Sequence, residues 1–208
     1  IHGLKTIFKR EKESTVDEVL STFYTNTEDS LFLTAQLMPF VPNKIENIDL
    51  TIIDGDHETK YKGVFDSSCY QIHYRIGLPK NFNSVYYSVS SAGVKNDSAN
   101  VNSNFGTIKA KPKNKNPKLM ALNCNGFTFF HSGGVDYENL FYPYRQIKKG
   151  YKQQKPDVLA FLGDQIYESR PEMAIYKEPF CRLDYLYKWS IWCYAFRDLI
   201  RDQPTIIM

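Results

Sequence analysis

Alternation of apolar with other side chains runs through the first half of the sequence and constrains its fold more than any other feature. The period of two occurs in four segments, at residues 31–37, 48–52, 70–76 and 85–89. A strand with one buried face has this period, because successive side chains point to opposite sides of a sheet. Turn residues such as Asp54-Gly55-Asp56 separate the segments. The pattern predicts an all-β sandwich over residues 1–108, of the immunoglobulin-like or fibronectin-like kind.

The stretch KAKPKNKNPK, residues 109–118, interrupts this pattern with five lysines and two prolines. Such a composition is typical of a solvated segment that cannot bury apolar surface. A basic patch that binds an acidic partner is the alternative. We predict an interdomain linker at residues 109–118.

The order of elements changes after the linker. The sequence predicts short apolar strands and helices in alternation, at residues 119–122, 143–153, 157–162, 181–202 and 205–208. The strand at 157–162, DVLAFL, is apolar almost throughout, as in a sheet that is covered on both faces. In the helix at 181–202, we expect Asp184 and Lys188 on a solvent side and Leu183 and Cys193 on an apolar side. We therefore predict an α/β domain from residue 119 to residue 208.

Composition excludes few functions. The net charge of +3 over 208 residues is too small to indicate nucleic-acid binding. No apolar run reaches the length of about 18 residues that a membrane helix needs. The four cysteines contain no Cys-x-x-Cys pair, which argues against a structural zinc site. The oligomeric state stays open.

Three candidate metal ligands follow the first two predicted strands of the α/β domain. Cys124 comes after residues 119–122, and Asp164 and Tyr167 come after residues 157–162. Ligands of open α/β sheets bind beyond the carboxyl ends of the strands, where these side chains would meet if the strands are neighbours. A phenol with an ordinary pKa near ~10 becomes a ligand only for a strongly acidic ion. Thiolate, phenolate and carboxylate together favour Fe³⁺, with the carboxylate able to bridge to a second ion.

Each of the three residues also has an ordinary structural interpretation. Asp164 could cap a turn, Tyr167 could pack on the edge of the sheet, and Cys124 could be an inert thiol. The residues themselves leave these alternatives open.

Several segments resemble the PhoD-like alkaline phosphatase D family of metallophosphoesterases. GTIKAKP followed by LNCNG is similar to the junction between that family's β-sandwich and its catalytic domain, and KPDVLAFLGDQIYE is similar to its second metal-binding strand. The final 26 residues, LDYLYKWSIWCYAFRDLIRDQPTIIM, resemble the helix and strand before its Asp-Asp-His-Asp motif. The resemblance covers residues 106–208.

The resemblance implies a function and a metal site. It implies a phosphoester hydrolase with a dinuclear centre, in which Cys124, Asp164 and Tyr167 bind Fe³⁺ and Asp164 bridges to a second ion, Ca²⁺. It implies the first half of an α/β metallophosphoesterase domain, so the remaining ligands are expected beyond Met208. Export from the cytoplasm is also an expectation from the family. The competing hypothesis is a non-catalytic chain whose sandwich binds a partner or a glycan and whose phosphoesterase half is truncated or degenerate.

Overall fold

The strands of the first half form two antiparallel sheets. The computed structural model of the chain describes residues 19–38, 45, 48–79, 82–91, 104–111, 116–124, 144–166 and 180–208. The first eight strands are Val19–Asn26 (β1), Ser30–Leu37 (β2), Ile48–Asp54 (β3), His57–Lys62 (β4), Val64–Asp66 (β5), Gln71–Gly77 (β6), Val85–Ser91 (β7) and Asn104–Ile108 (β8). The strand order is β1-β2-β6-β5 in the first sheet and β4-β3-β7-β8 in the second.

The two sheets enclose one apolar core. Residues of both sheets, among them Leu33 and Tyr74 of the first and Leu50 and Val89 of the second, belong to a single buried cluster. The Tyr74 hydroxyl donates a hydrogen bond to the Ile48 carbonyl oxygen at 3.2 Å, which ties one sheet to the other. The β-rich, antiparallel architecture that the alternation predicts is therefore confirmed.

The structure contains four strands that the sequence did not predict, and β1 and β4 show why. Four consecutive residues at the start of β1 are buried, because that strand packs against the sandwich core on one face and against a helix on the other. A strand covered on both faces has no period of two. Strand β4, HETKYK, is polar and almost entirely exposed at the edge of the second sheet, so it lacks an apolar face.

The second half contains a small parallel sheet and two helices. The strands are Leu119–Leu122 (β9), Val158–Phe161 (β10) and Thr205–Ile207 (β11), and the helices are Tyr144–Gln154 (α1) and Phe180–Ile200 (α2). Strand β10 lies in the middle, parallel to β9 and to β11. All five elements lie within two residues of the predicted bounds, and the buried strand predicted at 157–162 is shorter by one residue at each end. Neither of the two described helices is long and apolar enough to cross a membrane.

The predicted division of α2 into a polar and an apolar side holds in part: Asp184 and Lys188 share one side and Cys193 is fully buried, but Lys188 and Leu183 depart from it. Lys188 is buried, and its ammonium group lies 2.6 Å from the Asp184 carboxylate. Leu183, which was expected on the apolar side, is 46% exposed. The C-terminal part of α2 lies between β1 and the parallel sheet and is therefore buried on more than one side, so a two-sided pattern does not apply to it.

The parallel-sheet half packs directly on the sandwich. Trp189 of α2 donates its indole N–H to Oε1 of the buried Gln36 at 2.7 Å, and its ring meets Phe23 edge to face. The Tyr87 hydroxyl lies 2.8 Å from the carbonyl oxygen of Arg201. At the predicted linker, Lys109 also contacts the sandwich, since its backbone N–H donates to the Tyr24 hydroxyl at 2.9 Å. The division into domains at residues 109–118 stays a prediction.

Candidate functional site

The carboxyl ends of β9 and β10 lie side by side. Leu122 and Phe161 are partners in the parallel register, and Leu162 N–H donates to the Leu122 carbonyl oxygen at 2.8 Å just beyond the strands. One step further, Cys124 N–H donates to the Gly163 carbonyl oxygen at 3.3 Å. The ladder of hydrogen bonds therefore continues into the two turns and holds them in register.

The backbone of both turns adopts an uncommon conformation. Cys124 has a φ of 55° and Asp164 has a φ of 59°, and Gly163 between the strand and Asp164 has a φ of 112°. Positive φ is uncommon for residues other than glycine, and it costs of order 1 kcal/mol or more. Such residues concentrate at functional sites, where the surrounding structure maintains them. Here Cys124 and Asp164 occur in adjacent turns at the carboxyl ends of β9 and β10.

The side chains of Cys124 and Asp164 meet. Sγ of Cys124 lies 3.2 Å from Oδ2 of Asp164, in a hydrogen bond that the thiol donates. Both residues are exposed, so solvent and a ligand can reach the pair. A second contact orients the cysteine, because its N–H also lies 2.9 Å from Oδ1 of Asn123. The distance between Sγ and Oδ2 is short enough for both atoms to bind one ion.

The strand below the pair is firmly supported. Phe161, the last residue of β10, is fully buried and packs edge to face on Trp192 of α2 at a centroid distance of 4.8 Å. Trp192 in turn stacks on Phe196 at 4.9 Å. Aromatic packing of this kind keeps a strand end in place, which suits a site whose ligands must keep their spacing.

The structure brings together two of the three predicted ligands. Cys124 and Asp164 are adjacent, as the sequence argument requires, and Tyr167 lies outside the described residues. The donor atoms of the pair suit the proposed ions chemically, since a thiolate and a carboxylate are anionic ligands and a carboxylate has two oxygens with which to bridge. Its assignment as a metal site stays a prediction.

A second group of potential ligands, absent from the residues predicted from the sequence, lies on the sandwich. Asp66, Cys69 and His73 have ligand atoms that all lie within 4.8 Å of one another. Among the described residues, no other group of three or more histidine, cysteine and acidic side chains meets this distance. The spacing Asp-x-x-Cys-x-x-x-His across a turn between two strands is the signal that could have found it.

No known family model matches the chain, and no curated protein matches it either.

Proposed function

We propose that the protein is a metal-dependent phosphoester hydrolase, of the alkaline phosphatase or phosphodiesterase type, that uses a dinuclear site with Fe³⁺ and a second ion. One observation supports the proposal most. Cys124 and Asp164, chosen from the sequence as ligands 40 positions apart, lie with Sγ and Oδ2 3.2 Å apart at the carboxyl ends of neighbouring parallel strands. Ligand sites of open α/β sheets occur at this place. The similarity of residues 106–208 to PhoD-like phosphatases is the second support.

The residues of this chain would hold the metal centre as follows. Cys124 as thiolate, Tyr167 as phenolate and Asp164 as carboxylate would bind Fe³⁺, and Asp164 would also bind the second ion, Ca²⁺. A dinuclear centre supplies Lewis acidity toward phosphoryl oxygens and lowers the pKa of water. The chain contributes the position of the ligands, because both turns are held by the hydrogen-bond ladder between β9 and β10.

The proposal is tested with the natural full-length protein, purified without added metal. We expect bound iron by elemental analysis and a visible absorption band from charge transfer between phenolate and iron. We also expect hydrolysis of p-nitrophenyl phosphate or of bis-p-nitrophenyl phosphate, and the faster of the two identifies the substrate as a monoester or a diester. A colourless, iron-free and inactive protein would refute the proposal.

Single substitutions separate ligands from structural residues. Asp164→Asn should lower kcat by more than the roughly 10–100-fold that is typical when a residue that only orients a ligand is lost.

Tyr167→Phe should abolish the visible band and leave the far-UV circular dichroism spectrum unchanged, since only one oxygen is removed. Cys124→Ser should lower the iron content. The matched controls are Asp56→Asn, Tyr86→Phe and Cys181→Ser, which should leave iron content, colour and activity unchanged.

A non-catalytic sandwich that binds a partner or a glycan is the second candidate. Tyr86 and Phe105 are 66% and 57% exposed, and they lie on the same outer face of the second sheet on neighbouring strands. The Arg201 guanidinium group lies over the Phe105 ring at 5.2 Å from its centroid, so Tyr86 is the exposed ring that would stack on a sugar. Retention of the protein on a glycan array that is lost in Tyr86→Ala, together with an absence of iron, would favour this candidate.

A further inference from the structure

Asp66, Cys69 and His73 come together because of the turn between β5 and β6. Asp66 is the last residue of β5 and pairs with Gln71 of β6, so it lies on the same outer face as His73, two residues further along. Diagonal neighbours on one face of a sheet are within reach of each other's side chains. Cys69 lies in the turn, which closes at Tyr70 with a φ of 55°. The turn thereby returns the thiol toward the two strands.

Neighbouring groups orient each of the three side chains. Ser68 N–H donates to Oδ1 of Asp66 at 2.7 Å. The Thr34 hydroxyl lies 3.1 Å from Nδ1 of His73, and when Nδ1 donates this hydrogen bond the lone pair on Nε2 is available to a metal ion. Sγ of Cys69 lies 4.0 Å from the Asp66 carbonyl oxygen. Hydrogen bonds that orient a carboxylate and an imidazole in this way are typical around metal ligands.

We propose that Asp66, Cys69 and His73 form a binding site for a divalent ion of borderline softness, with Zn²⁺ as its occupant. One carboxylate oxygen, one imidazole nitrogen and one thiolate are ligands that tetrahedral Zn²⁺ accepts, and solvent would supply the fourth. With bonds of about 2.0–2.3 Å, the ligand atoms of a tetrahedral site are roughly 3.3–3.8 Å apart. The ligand atoms lie within 4.8 Å of one another, so they would approach by about 1 Å when the ion binds. The thiol proton leaves to solvent when the ion binds.

The donor set excludes the commoner hard cations. Ca²⁺ and Mg²⁺ bind six or more oxygen atoms, whereas this group offers one carboxylate beside a sulfur and a nitrogen. The sequence has no Cys-x-x-Cys pair, which argues against a zinc site built on several thiolates. It does not argue against a site that uses a single thiolate.

A metal ion at this position would connect the edge of the first sheet to α2. Strand β5 has three residues and lies at the edge, where few neighbours hold it. The guanidinium group of Arg182 in α2 donates to the Ser68 carbonyl oxygen at 2.7 Å, within the turn that carries Cys69. The ion would therefore hold β5, β6 and the turn together at one of the points where α2 contacts the sandwich. We infer a structural role that is independent of the site at Cys124 and Asp164.

The test uses cobalt as a visible probe of zinc sites, in the full chain carrying Cys124→Ser so that the other candidate site contributes no thiolate. Titration with Co²⁺ should produce a thiolate-to-cobalt band in the near ultraviolet that saturates at one equivalent, and Zn²⁺ should abolish it by displacement. Zn²⁺ at about a hundredfold excess over its Kd should raise the melting temperature by roughly 5–10 °C.

Variants in the same background decide whether the three residues are the ligands. Cys69→Ser should abolish the cobalt band, and His73→Gln should weaken Zn²⁺ binding by more than about tenfold. Cys181→Ser and His57→Gln, which change a cysteine and a histidine outside the group, should leave the band and the affinity unchanged. His73 is exposed, so its variant gives a result even if Cys69→Ser fails to fold. A missing band, or a band and an affinity that survive in His73→Gln, would overturn the proposal.

Discussion

Gly106 shows how closely the sandwich and the parallel-sheet half approach each other. A Cβ atom at this position would lie 2.7 Å from the Arg201 carbonyl oxygen and 2.7 Å from the Tyr87 hydroxyl. Carbon atoms do not approach oxygen atoms this closely, so both neighbours would have to move. Glycine is therefore required here by contact, not by a turn.

We predict that Gly106→Ala destabilises the protein by about 1–3 kcal/mol, the usual cost of an overpacked interior. The free energy of unfolding is measured by urea titration monitored with circular dichroism. Gly77→Ala is the matched control, because a Cβ atom there would meet only the Asp29 carbonyl oxygen at an ordinary 3.9 Å. Equal stability of the Gly106 and Gly77 variants would show that the contact relaxes without cost.

The candidate ligands differ in how far sequence reasoning could find them. Cys124 and Asp164 each follow an apolar strand, so they lie close together whenever those two strands are neighbours. The hydrophobic pattern and the order of the elements predict that the strands are neighbours. Asp66, Cys69 and His73 depend on the left-handed backbone of Tyr70, which no period reveals. The site at the strand ends follows from the order of elements, whereas the group at the turn shows in the sequence only as the spacing Asp-x-x-Cys-x-x-x-His.

Helix α2 connects the two halves through Trp189. Its indole N–H donates to Gln36, a fully buried glutamine that also accepts a hydrogen bond from Gln71 at 2.9 Å. A buried amide oxygen needs its donors, because there is no water to replace them. This contact joins an element of the second half to the first sheet.

We predict that Trp189→Phe lowers the free energy of unfolding by about 1 kcal/mol, since the N–H donor is lost while an aromatic ring remains against Phe23. Urea unfolding followed by far-UV circular dichroism measures the change. The control is Tyr86→Phe, which removes a polar atom from a side chain that is 66% exposed and should change stability by less than about 0.5 kcal/mol. If Trp189→Phe changed the free energy of unfolding as little as Tyr86→Phe, the hydrogen bond would not stabilise the contact.

The elements that the sequence predicted are those with one solvent-facing side or with uniform burial. Strand β6 alternates because one face is solvated, and β10 is apolar because it is buried within the parallel sheet. Strand β1 was missed because α2 covers the face that would otherwise be polar. For the same reason Lys188 lies buried beside Asp184, although a charged side chain is expected to face solvent. Packing between the halves therefore overrides local patterns in both β1 and α2.

Three tyrosine hydroxyls connect the layers of the whole molecule. Tyr74 bonds the opposite sheet at Ile48, and Tyr24 accepts the N–H of Lys109. Tyr87 bonds Thr22 of the first sheet at 2.7 Å and the Arg201 carbonyl oxygen of the second half at 2.8 Å. Burial raises the pKa of all three above the ordinary value of 10.0, because an ionised phenol would be poorly solvated there.

These shifts predict loss of stability at alkaline pH. Above pH 10, tyrosines of the unfolded chain release protons that the folded chain retains, so each of the three lowers the free energy of unfolding by about 1.4 kcal/mol per pH unit. Urea unfolding between pH 9 and pH 11.5 measures the slope. Tyr87→Phe should reduce that slope by about 1.4 kcal/mol per pH unit, the contribution of one proton. Thr22→Val should lower stability and keep the slope, since it removes a hydrogen-bond partner and no titrating group. A slope that Tyr87→Phe leaves unchanged would mean that Tyr87 ionises in the folded protein, and that the layers separate locally at its hydroxyl before the molecule unfolds.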